Sequence, residues 1–155
     1  ALLIKPNYHS VHLNLGSIFK EKNQLEKAVR AYESALSVNP NSAIAYYNIG
    51  TILNMQDRSE EAVTAFERAI SFEPGYVEAH FNKGVALQEL NKLEMAIEAY
   101  CSTLSLNRDY LKAYYNIAIA LKDVIFEKPN PSIQNIIVSM LDFSLIPKLK
   151  RLVRR

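Results

Sequence analysis

The sequence turns on Tyr46-Tyr47-Asn48-Ile49-Gly50. The same pattern returns at His80-Phe81-Asn82-Lys83-Gly84 and, after an equal interval, at Tyr114-Tyr115-Asn116-Ile117-Ala118. One such interval before the first stretch stands His12-Leu13-Asn14-Leu15-Gly16. An asparagine holds the same phase in all four copies. A fixed period of about 34 residues signals stacked repeats, in which each unit buries its apolar face against the next.

Each unit carries two patterns of helical period. His12, Leu15, Gly16 and Phe19 lie at i, i+3, i+4 and i+7, one face of a first helix. Tyr46, Ile49, Gly50 and Leu53 repeat it, as do His80, Lys83, Gly84 and Leu87, and then Tyr114, Ile117, Ala118 and Leu121. The Gly or Ala slot lets a second helix approach closely. That second helix carries Ala28, Tyr32 and Ala35, repeated as Ala62, Phe66, Ala69 and as Ala96, Tyr100, Thr103. One bulky knob between two gaps fits ridge-into-groove packing. Pro6, Pro40 and Pro74 stand at the unit boundaries, where each stops a helix; Arg108 takes the fourth such place. Asn23, Asp57 and Asn91, each followed three residues later by Glu26, Glu60 or Glu94, are expected to cap the second helices as capping boxes.

These residues together resemble the tetratricopeptide repeat family over about residues 1–125. The small slots at Gly16, Gly50 and Gly84, the alanines, the aromatics at 32, 66 and 100, and the prolines match its pattern. Two departures stand out. The family's tryptophan slot holds His12, Tyr46, His80 and Tyr114, and its leucine slot holds Lys83 in the third unit. Lys83 is expected to lay its aliphatic stem along the interface. The resemblance implies an all-α fold, a right-handed α-solenoid of antiparallel helix pairs.

The organisation expected is the end of a preceding repeat over 1–7 and an array over 8–125. The array comprises full repeats at about 9–42, 43–76 and 77–110 and the first helix of a fourth. Ala1, Leu2 and Pro6 are in register with Ala35, Leu36 and Pro40, so the sequence reads as a piece of a longer array. After Leu121 the period fails. A linker and capping helix are expected over 126–143, with Asn130 as N-cap and Pro131 at the first helical position. Residues 144–155 read as a basic amphipathic helix or tail.

Charge and composition narrow the function. Residues 148–155 hold five basic residues and no acid, leaving a mildly acidic body within a net charge of +2. Such a body does not present the basic face of a nucleic-acid binder, and no nucleic acid is expected as partner. No apolar run approaches the roughly 18 residues of a membrane span, and no membrane partner is expected. Cys101 is the single cysteine, which excludes an intrachain disulfide and fits a reducing, cytoplasmic compartment. His9, His12 and His80 lack metal-ligand spacing; His12 and His80 sit in packing slots, and His9 is expected at the surface. Cys101 has no sequence neighbour that would activate a thiol. No catalytic constellation, metal site or cofactor motif emerges, so the chain reads as no enzyme and needs no cofactor.

At 100° per residue, Asn14 falls about 200° around the helix from His12, away from its own repeat's packing face. Asn48, Asn82 and Asn116 do the same, so stacking lines the four up as a ladder. The neighbouring positions Ser10, Ile44, Glu78 and Lys112 vary while the asparagine does not. An asparagine side chain offers both an acceptor and a donor, and so matches the N–H and C=O of any extended peptide. Leu13, Tyr47, Phe81 and Tyr115 stand beside the ladder. The pattern resembles the asparagine ladder in the repeat arm of the transferases that attach N-acetylglucosamine to protein serine and threonine. That resemblance implies a concave peptide-binding groove with Asn14, Asn48, Asn82, Asn116, Tyr47, Phe81 and Tyr115 as contact residues. The rival reading has the asparagines bonding one another or water after duplication of one ancestral unit.

The function expected is a non-enzymatic scaffold binding a protein or extended peptide. One alternative is the substrate-recruiting arm of a larger enzyme such as a transferase. Another is self-association into a homo-oligomer through exposed terminal helices. The basic clamp by which some members hold the carboxylate end of heat-shock chaperones is disfavoured, because the equivalent face offers Ser10, Leu13 and Glu78, with a lysine only at Lys112.

Overall fold

The computed structural model describes residues 8–127, with side chains through Leu121. Among these residues there are seven helices and no strand: α1 (Tyr8–Glu21), α2 (Leu25–Val38), α3 (Ala43–Met55), α4 (Ser59–Phe72), α5 (Val77–Glu89), α6 (Leu93–Leu106) and α7 (Leu111–Glu127). The helices pack in chain order, α1 on α2, α3 on α4 and α5 on α6 within units, with α2 on α3, α4 on α5 and α6 on α7 across units. The first helices α3 and α5 also touch. The described residues form an all-α solenoid of stacked helix pairs. The end of the preceding repeat, the capping helix and the basic tail lie outside the described residues. Within the described residues helix α7 takes in Phe126 and Glu127, just beyond the expected edge of the array.

Aromatic knobs fill the glycine slots. Tyr32, Phe66 and Tyr100 are fully buried, each contributing roughly 1.5–3 kcal/mol by leaving water. A Cβ on Gly16 would stand 2.5 Å from the Tyr32 ring, one on Gly50 2.8 Å from Phe66, and one on Gly84 2.5 Å from Tyr100. Each ring then reaches the next unit: Tyr32 shares a core with Ala45 and Ile52, Phe66 with Ala86, and Tyr100 with Ala113, Tyr114 and Ile117. Lys83 ion-pairs with Glu67 of α4 at 2.7 Å, its side chain only 23% exposed.

The turns within units differ from expectation. Asn23, Asp57 and Asn91 do not cap the second helices; they terminate the first. Each has left-handed backbone, with φ of 56°, 59° and 55°. The amide of Asn23 bonds to the Lys20 carbonyl at 2.9 Å, and that of Gln24 reaches back to Phe19 at 2.8 Å. Asp57 with Arg58, and Asn91 with Lys92, repeat this pairing on Asn54 with Leu53 and on Gln88 with Leu87. This is a Schellman end, normally built on glycine, with an Asx residue that tolerates the left-handed region. Gln24, Arg58 and Lys92 precede the second helices and make no side-chain cap bond. Glu26, Glu60 and Glu94 still lie in the first turn, where the helix dipole favours a negative charge.

Between units, α2 ends at Val38 before Pro40 and α4 at Phe72 before Pro74. The turn lacking proline is held by Asn107, whose Oδ1 accepts from the Asp109 amide at 3.0 Å; Asn39 does the same for Asn41. This is an Asx-turn. His9 is not a free surface residue: its ring is half-buried, with Nε2 2.9 Å from the hydroxyl of Ser42, which in turn caps α3 through the Ala45 amide.

Candidate functional site

The four ladder asparagines share a phase but not an environment. Asn14 is exposed. Asn48 is only 7% exposed, and both ends of its amide are engaged. Its Nδ2 donates to the Ile44 carbonyl at 2.8 Å, and its Oδ1 accepts from the Lys20 ammonium at 2.7 Å. Burial holds the Lys20 pKa below the ordinary lysine value, with Glu21 opposing.

Asn82 and Asn116 are half-buried and follow a second pattern. Asn82 donates Nδ2 to the Tyr47 hydroxyl at 3.1 Å, and Asn116 donates Nδ2 to the Tyr100 hydroxyl at 3.1 Å. The acceptor changes because Phe66, the counterpart of Tyr100 one unit earlier, has no hydroxyl, so Asn82 turns to Tyr47 instead. The Oδ1 atoms of Asn82 and Asn116 accept no bond from a described residue, and neither is a buried unpaired atom. An N–H anchored on a phenol fixes the amide plane and leaves an outward acceptor.

Tyr47 and Phe81 are half-buried, each in tilted ring contacts with an aromatic of its own unit's second helix and one in the turn that follows it. Tyr47 lies 6.0 Å from Phe66 and 4.8 Å from Tyr76, centroid to centroid; Phe81 lies 5.6 Å from Tyr100 and 4.9 Å from Tyr110. Contacts of this range add about 0.5–1.5 kcal/mol beyond burial. Tyr115, the next in phase, is 58% exposed. Sequence reasoning missed Tyr76 and Tyr110. Their signal was present, since they stand one repeat period apart at the position before each first helix, where Ser42 stands one unit earlier. Burial raises the Tyr47 pKa, against the hydrogen bonds from Thr51 and Asn82, and Glu78 raises it further.

The site offers hydrogen-bond acceptors and aromatic surface. Among the described residues no group of His, Cys, Asp and Glu is placed to hold a metal ion, and no helix is long and apolar enough to cross a membrane. His80 Nε2 lies 2.9 Å from the Pro74 carbonyl. Burial pushes the Cys101 thiol up to about 11, with Glu98 adding to the rise, which keeps it protonated at neutral pH.

Three family profiles match. A TPR repeat covers residues 16–57, and tetratricopeptide repeats cover 43–76 and 65–98. No curated protein matches the sequence. Among solved structures, the chain is similar to MamA at 28% identity and a TM-score of 0.72, over 77% of this chain and 70% of that one. It resembles the first TPR of Spaghetti (RPAP3) bound to the HSP90 peptide SRMEEVD at 17% identity and a TM-score of 0.75, over 81% of this chain and 99% of that one. A Thermobaculum terrenum O-GlcNAc transferase mutant shows the same fold at 23% identity and a TM-score of 0.68, over 74% of this chain and 22% of that one. With its fixed repeat period, seven packed helices and three profile matches, this chain belongs to the tetratricopeptide repeat family.

Proposed function

We propose that the chain is a non-enzymatic protein-interaction scaffold that holds an extended peptide along the face of its first helices. The observation that carries this reading is the pair Asn82 and Asn116, each anchored through Nδ2 on a tyrosine hydroxyl with Oδ1 left to accept. Successive amides of this kind receive backbone N–H groups of a peptide whatever its side chains are. Asn14 continues the row at an exposed position. Asn48 acts through its partner, presenting the Lys20 ammonium to peptide carbonyls. Tyr47, Phe81 and Tyr115 supply the aromatic flank, with the first two held by Tyr76 and Tyr110. The likeness in fold to an array bound to the peptide SRMEEVD supports the reading.

The test is an immobilised peptide array probed with the wild-type chain and with Asn82→Ala/Asn116→Ala. The expected result is loss of most retained spots in a variant that still melts cooperatively, lowered by several degrees for the two lost phenol bonds. An unchanged set of spots in a folded variant counts against the ladder.

A further inference from the structure

A cavity of about 370 Å³ opens beside the ladder, between the α3–α4 unit and α5, lined by Asn54, Asp57, Phe66, Asn82, Val85 and Glu89. Its polar wall is built of acceptors. Glu89 is exposed and oriented by two bonds: Asn54 Nδ2 donates to its Oε1 at 3.1 Å and Ser59 Oγ to its Oε2 at 2.8 Å. Both donors are neutral, so the carboxylate is oriented but its charge is not offset. Asp57 is exposed and brings a second carboxylate. The ion pairs of Arg58 with Glu61 and of Lys83 with Glu67 involve neither Asp57 nor Glu89. Arg58, next to Asp57 in sequence, is committed to Glu61 through two bonds of 2.7 and 2.6 Å. Asn82 Oδ1 accepts no bond from a described residue and adds a neutral acceptor.

From this wall we infer that the cavity takes a lysine or arginine side chain of the bound peptide. The cationic head is a donor without acceptors, which matches a wall of two carboxylates and one amide oxygen. Its methylene stem lies against Val85 and the exposed Met55, as long basic side chains do on apolar surface. Asn82 belongs to both features, so a peptide held by the ladder has its side chain at the cavity mouth. The inference rests on the peptide-holding reading and adds a preference to it: backbone contacts fix the peptide, and this cavity selects a basic residue at one place along it.

The test uses three short fluorescein-labelled Gly/Ser peptides of equal length, alike except for one central lysine, norleucine or glutamate. Each is titrated by anisotropy with the whole chain and with Asp57→Asn/Glu89→Gln. The lysine peptide is expected to bind the wild type about tenfold tighter than the norleucine peptide, with the glutamate peptide weakest. The preference shrinks in high salt. In the variant the three affinities converge near the norleucine value, with the melting curve retained. Equal binding of all three by the wild type overturns the cavity inference and leaves peptide holding intact. A lysine preference that survives in the variant also overturns it. Binding of none of the three takes the peptide-holding reading down as well.

Discussion

The side-chain amide of Asn82 donates to the Tyr47 hydroxyl at 3.1 Å, tying the first helix of one unit to that of the unit before it. Tyr47 is itself held 4.8 Å from Tyr76, so one phenol both packs a joint and orients a ladder amide. Tyr47→Phe keeps the packing and removes the acceptor. It is expected to cost about 1 kcal/mol, the scale of one hydrogen bond to a partly wet group. Tyr47→Ala also loses the ring contacts and is expected to cost roughly 2–3 kcal/mol in all, below the range for fully buried aromatics. Urea midpoints at unchanged m-value measure both.

The glycine slots give a contrast within one protein. Gly84→Ala drives a Cβ to 2.5 Å from the Tyr100 ring, and that ring is fully buried with little room to retreat. The expected loss is about 1–3 kcal/mol, typical of overpacking. Gly75 has nothing within 4 Å of its would-be Cβ and no positive φ. Gly75→Ala is therefore expected to be neutral or to add about 0.4–1 kcal/mol by restricting the unfolded chain. Paired thermal melts decide the order.

At the Schellman ends, glycine should do as well as asparagine or better. Asn23→Gly and Asn91→Gly remove side chains from left-handed backbone and are expected to leave stability equal or slightly raised. Asn23→Ala and Asn91→Ala are each expected to cost about 1 kcal/mol, because alanine meets the left-handed penalty with no polar side chain to offset it. Were these residues N-caps, Gly and Ala would both weaken the fold. Urea midpoints of the four variants separate the two cases.

Much of the fold was legible because periodicity carries it. Gly16 with Tyr32, and Gly84 with Tyr100, were readable from residue type alone as complementary small and large partners. The caps misled because an Asx residue followed by Glu at the third position fits two geometries, and only φ separates a left-handed helix end from an extended N-cap. The site was legible in phase and opaque in partner. Equal spacing put four asparagines on one face, yet Lys20, Tyr47 and Tyr100 reach them from other helices, so Asn48 became buried while Asn14 stayed open. Tyr76 and Tyr110 lay in the turns between units, outside the helical pattern being followed.

The buried tyrosine links the same network to pH. Burial pushes the Tyr100 phenol up to about 12, opposed by the bond from Asn116 and assisted by Glu89. The ordinary tyrosine value is about 10. The folded state therefore holds the proton more tightly, so the stabilisation is complete below pH about 10 and is lost as pH rises towards about 12. Stability to urea is expected to fall across that window. Tyr100→Phe is expected to fall less steeply there, while starting lower at neutral pH for want of the bonds to Gln88 and Asn116.

The most direct measurement is calorimetric titration of one array-selected peptide into three proteins: the wild type, Asn82→Ala/Asn116→Ala and Phe81→Ala. Ladder binding predicts an affinity loss of about tenfold or more in the double variant, the scale of two lost hydrogen bonds, measured well below a melt that the two lost phenol bonds lower by several degrees. Unchanged affinity in the double variant, with clear weakening by Phe81→Ala, would contradict it: the peptide would then be held by aromatic surface and the asparagines would serve only the joints between units.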